Sequence, residues 1–308
     1  MSRRGWLLFL LMGVIWGLPY LFIRIAVREV DPPLLVFIRT AGGALLLAPF
    51  VVRRNVLHTL RRHWKPLVLY TCAELAVPWL LLFNAERHLS SSLAGLLVAA
   101  VPIVGAVLAR LTGTDPLDRG RVTGLAVGIL GVAALVGFDV RGSSVWAALS
   151  LAVVAVGYAL GPWILARHLT AVPTFVVVAG SLALCAVLYA PSVAFTLPTR
   201  SLSRSVIGSI AMLTVVCAAV AFVLFFALIA EVGPLRATVI TYINPAVAVI
   251  LGVGVLGEHF GAGTGIGFVL ILAGSYLATR PSKVGESATG EKVRPQPKPA
   301  PAPTIAEP

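Results

Sequence analysis

The chain has 308 residues, of which 58% are hydrophobic and only 12% are charged. Soluble globular domains carry about 25% charged residues, so about half of the expected charge is missing. This composition excludes a soluble enzyme, a disordered chain and a secreted disulfide scaffold, and it predicts an integral membrane protein.

Long apolar stretches follow one another along almost the whole chain. A bilayer core about 30 Å thick is crossed by about 20 apolar residues of helix. The stretches are continuously apolar, whereas the strands of a membrane β-barrel would alternate polar and apolar residues. The sequence therefore predicts an all-α integral membrane fold of ten transmembrane helices. They cover residues 6–27, 33–52, 66–85, 91–111, 121–138, 145–166, 173–195, 205–230, 234–256 and 260–279.

Basic residues give the chain a formal net charge of +12. In a soluble protein this excess would suggest nucleic acid, but in a membrane protein Lys and Arg collect in the cytoplasmic loops. With the N-terminus inside, 17 of the 24 Lys and Arg residues lie in inside segments and five in outside loops. We therefore expect a lipid bilayer as the partner, no nucleic acid, and a multi-pass protein of the inner or plasma membrane with both termini cytoplasmic.

The composition changes after residue 280. Residues 281–308 are rich in Pro, Lys, Glu and Ala and contain almost no large apolar side chain. Such a segment cannot bury enough surface to offset its conformational entropy. The sequence predicts a disordered, Pro-rich cytoplasmic tail.

Two segments of the chain resemble each other at an offset of 143 residues. Residues 89–109 align with residues 232–252, which places Pro102 opposite Pro245. The alignment continues without a gap through Asp115 and Glu258 and through several glycines. We therefore expect two five-helix repeats, residues 1–138 and residues 139–280.

An odd number of spans in each repeat has a geometric consequence. The second repeat must enter the membrane from the side opposite to the first, so the two repeats are expected to be inverted. Inverted repeats are typical of secondary transporters, which bind their substrates near the bilayer midplane between the repeats.

Short motifs occur near the beginning of the first predicted half and near the end of the second. Trp16-Gly17, Asp31-Pro32-Pro33 and Phe37-Ile38-Arg39 resemble the beginning of an EamA-type domain of the drug/metabolite transporter superfamily, and Gly257-Glu258-His259 resembles its end. The resemblance covers about residues 5–280 in two copies. It implies a ten-helix carrier for small metabolites, amino acids or drugs, with a central cavity between the halves.

Charged residues within the predicted spans are functional candidates, because a charge inside a membrane is costly. Glu74 lies about eight residues into the third span and has no basic residue three or four positions away. It is either a proton-accepting group or a hydrogen-bonded structural glutamate. Arg39 stays charged, and it either binds an anionic group, pairs with Glu74 or sets topology.

Polar and aromatic residues near the middle of the spans complete the predicted substrate-binding set. Asn244 precedes Pro245, a pair that should interrupt the helix, and discontinuous helices bind ligands in many transporters. Besides Glu74 and Arg39, the set consists of Trp16, Tyr20, Trp79, Asn84, Tyr158, Trp163, Tyr242 and Asn244.

No catalytic, nucleotide-binding or metal-binding motif occurs in the sequence. Cys72, Cys185 and Cys217 each lie alone in an apolar stretch, so neither a disulfide framework nor a zinc site is expected. The sequence thus predicts no enzyme, no metal and no cofactor, but a secondary transporter that moves a small organic solute by alternating access.

Proton-coupled export is the interpretation that Glu74 favours. An uncoupled facilitator or uniporter is the alternative, and a non-transport membrane scaffold is a third. Protons would be the coupling ion, and a homodimer remains open.

Overall fold

A computed structural model describes residues 2–51, 56–113, 119–139, 144–233 and 238–279. Within these ranges the chain is helical and contains no strand. The predicted tail and Asp115 lie outside the described residues. The helices are α1 (Arg3–Ala26), α2 (Pro32–Val51), α3 (Val56–Arg62), α4 (Trp64–Ala85), α5 (Ser91–Leu111), α6 (Arg119–Asp139), α7 (Ser144–His168), α8 (Thr174–Thr196), α9 (Arg204–Val232), α10 (Asn244–Leu256) and α11 (Ala262–Thr279).

Eight of the described helices are long and apolar enough to cross a membrane. They are α1, α2, α4, α5, α7, α8, α9 and α11. Helix α6 has 21 residues and lies outside this group, and α10 begins later than the predicted span 234–256. The all-helical membrane architecture is therefore observed, whereas a count of ten spans depends on these two additional helices.

Two helices are interrupted just before a proline. Helix α5 is interrupted at Ala99 and Ala100, and the helical conformation begins again at Val101 with Pro102 in its first turn. The segment Thr238–Tyr242 is a short 3₁₀-helix, after which α10 starts at Asn244 with Pro245 in its first turn. Proline lacks the N–H that the preceding turn would need and fits the first turn of a helix. The expected break at Asn244-Pro245 is thus present, and it falls at the same offset of 143 residues as the break in α5.

Two other helices contain π-helical turns. In α4 the widened segment is Cys72–Ala76, and in α9 it is Met212–Val220. A π-helical turn is rare and frequently occurs at functional sites, because it rotates the side chains around it relative to a regular helix. The carboxylate of Glu74 projects from the first of these segments.

Helices α6 and α11 make the closest contact between the two halves of the chain. A Cβ atom added at Gly274 would overlap the backbone of Gly128 and lie 2.7 Å from the carbonyl oxygen of Gly124. Lipid provides little hydrophobic drive for helix association, so close backbone approach over small residues stabilises such contacts. The glycines at these positions are therefore required by packing.

The main helix contacts recur when each helix is replaced by the equivalent helix of the other half. Helix α1 packs on α9 and α10, and correspondingly α7 packs on α4 and α5. The pairs α2–α8, α5–α10 and α6–α11 each join a helix to its own equivalent. These helix contacts are thus the same when the two halves are exchanged.

Polar contacts join four connecting segments at one end of the helices. The Arg87 guanidinium lies 2.5 Å from a carboxylate oxygen of Asp31, and the Ser203 N–H donates to Glu29 at 2.8 Å. The Ser91 N–H donates to Glu258 at 2.7 Å. We call this end, formed by residues 27–31, 86–90, 197–203 and 257–261, the Asp31 end. At the opposite end the Ser2 hydroxyl donates to Glu231 at 2.5 Å.

The contact between α6 and α11 predicts opposite effects for two glycine substitutions. Gly274→Ala should destabilise the protein by about 1–3 kcal/mol, because the added methyl group meets backbone atoms that cannot move aside. Gly254→Ala is the matched control: nothing lies within 4 Å of the added methyl group, and alanine should stabilise the helix by about 0.5–1 kcal/mol. Thermal unfolding in detergent measures both, and a Gly274→Ala variant as stable as the Gly254→Ala variant would refute the packing role.

Candidate functional site

Arg39 lies inside the helix bundle rather than at its surface. Its side chain is only 6% exposed, and its guanidinium carbon lies 3.8 Å from the centre of the Trp79 ring and 5.9 Å from that of Phe83. Because a guanidinium keeps its charge, the negative faces of these rings compensate part of its desolvation. Trp79 and Phe83 are four residues apart on α4, so one helix face supplies both rings.

Side chains from three further helices surround the Arg39 guanidinium. Tyr20 of α1, Tyr158 of α7 and Cys217 of α9 all lie within electrostatic reach of it. We call Tyr20, Arg39, Trp79, Tyr158 and Cys217 the Arg39 cluster. Five helices from both halves of the chain therefore meet at one charge, and four of the predicted binding residues lie together there.

Glu74 lies beside this cluster and is partly buried. Its Oε2 atom is buried and has no hydrogen-bond partner among the described residues. The carboxylate fits against Gly161 of α7, where any side chain would overlap it, and it acts electrostatically on Tyr158. The expectation that Glu74 pairs with Arg39 is not met, since the ion pair found within the described ranges joins Arg87 and Asp31.

A second buried carboxylate, Glu86, was not predicted from the sequence. Its side chain is 0% exposed, and neither of its oxygens has a hydrogen-bond partner among the residues described. Arg24 donates to the backbone carbonyl of Glu86 rather than to its carboxylate. Burial raises the pKa of Glu86 well above its ordinary value, while the positive charges of Arg24 and Arg39 act in the opposite direction. The residue follows the last turn of α4 in a polar stretch of sequence, which is typical of an exposed loop.

The other predicted binding residues lie apart from the Arg39 cluster. Asn84 is exposed on α4. Trp16 packs on α9, with its ring centre 4.5 Å from that of Phe225. Trp163 lies near the end of α7 under the guanidinium of Arg167, at 5.4 Å.

Tyr242 and Asn244 hold the 3₁₀-helix at Thr238–Tyr242 and the start of α10 in place. The Tyr242 hydroxyl is 2.8 Å from the hydroxyl of Thr279 on α11. With its amide oriented to satisfy its neighbours, Asn244 donates to the carbonyl oxygens of Gly13 at 3.0 Å and Ile240 at 3.1 Å. Both side chains therefore have structural partners in this conformation.

Glu258 caps the first turn of α5 across the boundary between the halves. Its carboxylate accepts hydrogen bonds from the Ser91 N–H at 2.7 Å, the Ser92 N–H at 2.9 Å and the Ser92 hydroxyl at 2.6 Å. A carboxylate at a helix N-terminus satisfies free N–H groups and interacts favourably with the helix dipole. Gly257, in the left-handed conformation at φ +66°, ends α10 and places this carboxylate.

Similarity to known proteins identifies the family of the chain. The sequence profile of the EamA-like transporter family matches residues 3–137 and again residues 145–280. The chain belongs to the EamA-like transporter family. It is therefore a membrane transporter, as the resemblance of its motifs implied.

Curated relatives and solved structures agree with this assignment. The chain is 30% identical over 255 residues to the "Uncharacterized inner membrane transporter YedA" of Escherichia coli (strain K12), and the match covers 80% of each chain. The same values hold for YedA of Escherichia coli O157:H7. A solved crystal structure at 22% identity has the same fold, with a TM-score of 0.64 and coverage of 91% of this chain and 97% of the other.

The described residues contain no group of three or more His, Cys, Asp or Glu side chains that could hold a metal ion. The Arg39 cluster offers groups that can bind a solute. It presents one permanent positive charge, flat aromatic faces and two phenol hydroxyls, with the Glu74 carboxylate beside them.

The contact between Arg39 and Trp79 predicts a measurable coupling energy. In a double-mutant cycle of Arg39→Met and Trp79→Leu, the two substitutions should interact by about 2 kcal/mol, the value of a desolvated cation–π contact. The Trp79→Phe variant keeps an aromatic face and should retain most of this coupling. Unfolding in a denaturing detergent measures the cycle, and additive effects of the two substitutions would contradict the contact.

Proposed function

We propose that the protein is a secondary transporter that moves a small organic solute across the membrane by alternating access, with the Arg39 cluster as its solute-binding site. The observation that carries the proposal is a permanent charge enclosed by helices from both halves of a transporter-family chain. A charge in this position is costly, so a function explains its presence better than packing does. An anionic group of the solute would bind Arg39, and a flat or apolar part would lie against Trp79.

The proposed architecture consists of ten helices in two inverted repeats, residues 1–138 and residues 139–280, followed by a cytoplasmic tail at 281–308. The exchange symmetry of the helix contacts supports it, as do the repeated breaks in α5 and before α10. Inverted repeats allow the two halves to rock about a binding site at their interface.

We place the protein in the inner membrane, with both termini cytoplasmic and the Asp31 end outside. The YedA relatives are named inner membrane transporters, which supports the inner-membrane location. The distribution of Lys and Arg supports the orientation. In this conformation, hydrogen bonds and an ion pair hold the Asp31 end together.

Glu74 is the proposed coupling residue, with protons as the coupling ion. A carboxylate with an unpartnered oxygen, next to the binding site and on a π-helical turn, is placed to exchange a proton as the solute binds or leaves. We propose that the protein exports the solute, with protons that move inward driving the solute outward. In an uncoupled facilitator, by contrast, Glu74 would only hold α4 against α7 at Gly161.

Replacing Glu74 by Gln tests the coupling. A solute is first found by growth protection of overexpressing cells against toxic amino acids, metabolites and drugs. In proteoliposomes, Glu74→Gln should abolish accumulation driven by a proton gradient, because it removes the titrating oxygen, while solute–solute exchange continues. The Glu231→Gln variant, which changes an exposed carboxylate, is the control and should accumulate solute normally.

Two results would overturn this assignment in different ways. Unchanged proton dependence in the Glu74→Gln variant would support the uncoupled facilitator. Failure of the wild-type protein to move any of these solutes in either assay would favour a non-transport scaffold.

A further inference from the structure

Helix α4 and the residue after it carry two carboxylates whose buried oxygen atoms have no hydrogen-bond partner among the described residues, and the proposed function uses only one of them. Glu74 and Glu86 are twelve residues apart, which corresponds to roughly 18 Å along a helix. The aromatic face of Trp79 and Phe83 lies between them, and Arg39 lies over this face. Glu86 is therefore on the side of the Arg39 cluster that points towards the Asp31 end.

Ionisable groups from several helices and connecting segments lie near Glu86. Arg24 and Tyr20 face it from α1, Arg39 from α2, Tyr158 from α7, and Glu258 from the segment before α11. None of them forms a hydrogen bond to its carboxylate within the described part of the chain. A fully buried carboxylate without a donor is unfavourable when it is charged, so the closed Asp31 end favours the form that carries a proton.

The contacts that close the Asp31 end lie next to Glu86. Arg87, its neighbour in sequence, pairs with Asp31, and Glu258 binds the first turn of α5 a few residues later. The Arg24 guanidinium holds the backbone carbonyl of Glu86 itself. Separation of the segments at this end would therefore expose the Glu86 carboxylate to water.

We propose that Glu86 is a second proton-binding residue of the transporter, which takes up a proton when the Asp31 end closes and releases it when that end opens. This inference rests on the proposed function, because it assigns the Asp31 end to an alternating-access cycle. The proton passes between outside water and a carboxylate oxygen of Glu86, and no other covalent bond forms or breaks. In an export cycle, the departure of the solute through the open outer end leaves Glu86 hydrated, and proton uptake then permits closure.

The direction of the pH effect follows from burial. In the closed end, burial raises the pKa of Glu86, an effect that Glu258 reinforces and that Arg24 and Arg39 oppose. In the open end, water brings the pKa of Glu86 back towards its ordinary value. The closed state thus binds the proton more tightly, so acid favours closure and alkali favours opening. One linked proton changes the ratio of open to closed molecules by up to about tenfold per pH unit between the two pKa values.

Spin-label distances across the Asp31 end test this inference without any solute or gradient. The full-length protein, freed of its three cysteines, receives labels at Arg28→Cys and Ser201→Cys and is studied in lipid nanodiscs between pH 5 and pH 9. These exposed positions belong to the two different halves. The population with long distances should increase as the pH rises, and Glu86→Gln should hold the distances short at every pH.

Two further variants make the result specific to Glu86. Glu231→Gln removes an exposed carboxylate at the opposite end, keeps an acceptor for the Ser2 hydroxyl, and should leave the midpoint of the pH transition in place. Glu86→Asp keeps a titratable group and should keep the transition. The inference is overturned if the wild-type distances do not change with pH, or if the Glu86→Gln variant shows the same transition as the wild type.

These outcomes are separate from those that test the proposed function. Loss of proton-driven accumulation in Glu74→Gln concerns the transport cycle, whereas the distances report the Asp31 end alone. A pH-dependent end in a protein that does not accumulate solute would support the role of Glu86 in closing this end and leave proton-driven transport contradicted.

Discussion

A guanidinium group cannot give up its proton inside a protein, and Arg39 is therefore a fixed positive charge in the middle of an apolar bundle. The helices around it are arranged in ways that make this charge tolerable. Trp79 and Phe83 present ring faces, Tyr20 and Tyr158 bring phenol oxygens, and the carboxylates of Glu74 and Glu86 lie on either side along α4 without pairing with it. The cluster is compensated only in part, and a solute with an anionic group would complete it.

The helix bundle combines rigid and irregular backbone. Helices α6 and α11 pack so closely over glycines that they form a fixed contact between the halves. The helix breaks occur at Pro102 and Pro245, and the π-helical turns lie in α4 and α9, which both contribute side chains to the Arg39 cluster. Irregular backbone is tolerated at membrane depth only where it is buried in protein or lines a cavity. The π-helical turns in two helices of the Arg39 cluster suit a site that changes its shape during transport.

Much of this arrangement could be predicted from the sequence, because membrane helices and their breaks depend on local chemistry. Apolar length identified the helices, and Pro245 identified the interruption before α10. Arg39 and Glu74 were identified because a charge within an apolar stretch is rare. Tyr20, Trp79 and Tyr158 were predicted only as members of a longer list of polar and aromatic residues. That these three side chains converge on Arg39 was not predicted.

The remaining features depend on which faces of the helices meet, and local sequence does not determine this. Tyr158 and Trp163 are five residues apart, which is about 140° around a helix, so only one of them faces the cluster. Glu86 follows a helix end and looks like a loop residue, yet its side chain is 0% exposed. Its burial arises from residues far away in sequence, such as Arg24 and Glu258.

The most direct test of the binding site is a structure of the protein in lipid with a transported solute bound. The account predicts that the solute lies within contact distance of the Arg39 guanidinium and the Trp79 ring, between helices of the two halves. The account would be contradicted by a solute that binds elsewhere and makes no contact with Arg39, while Arg39 remains stacked on Trp79.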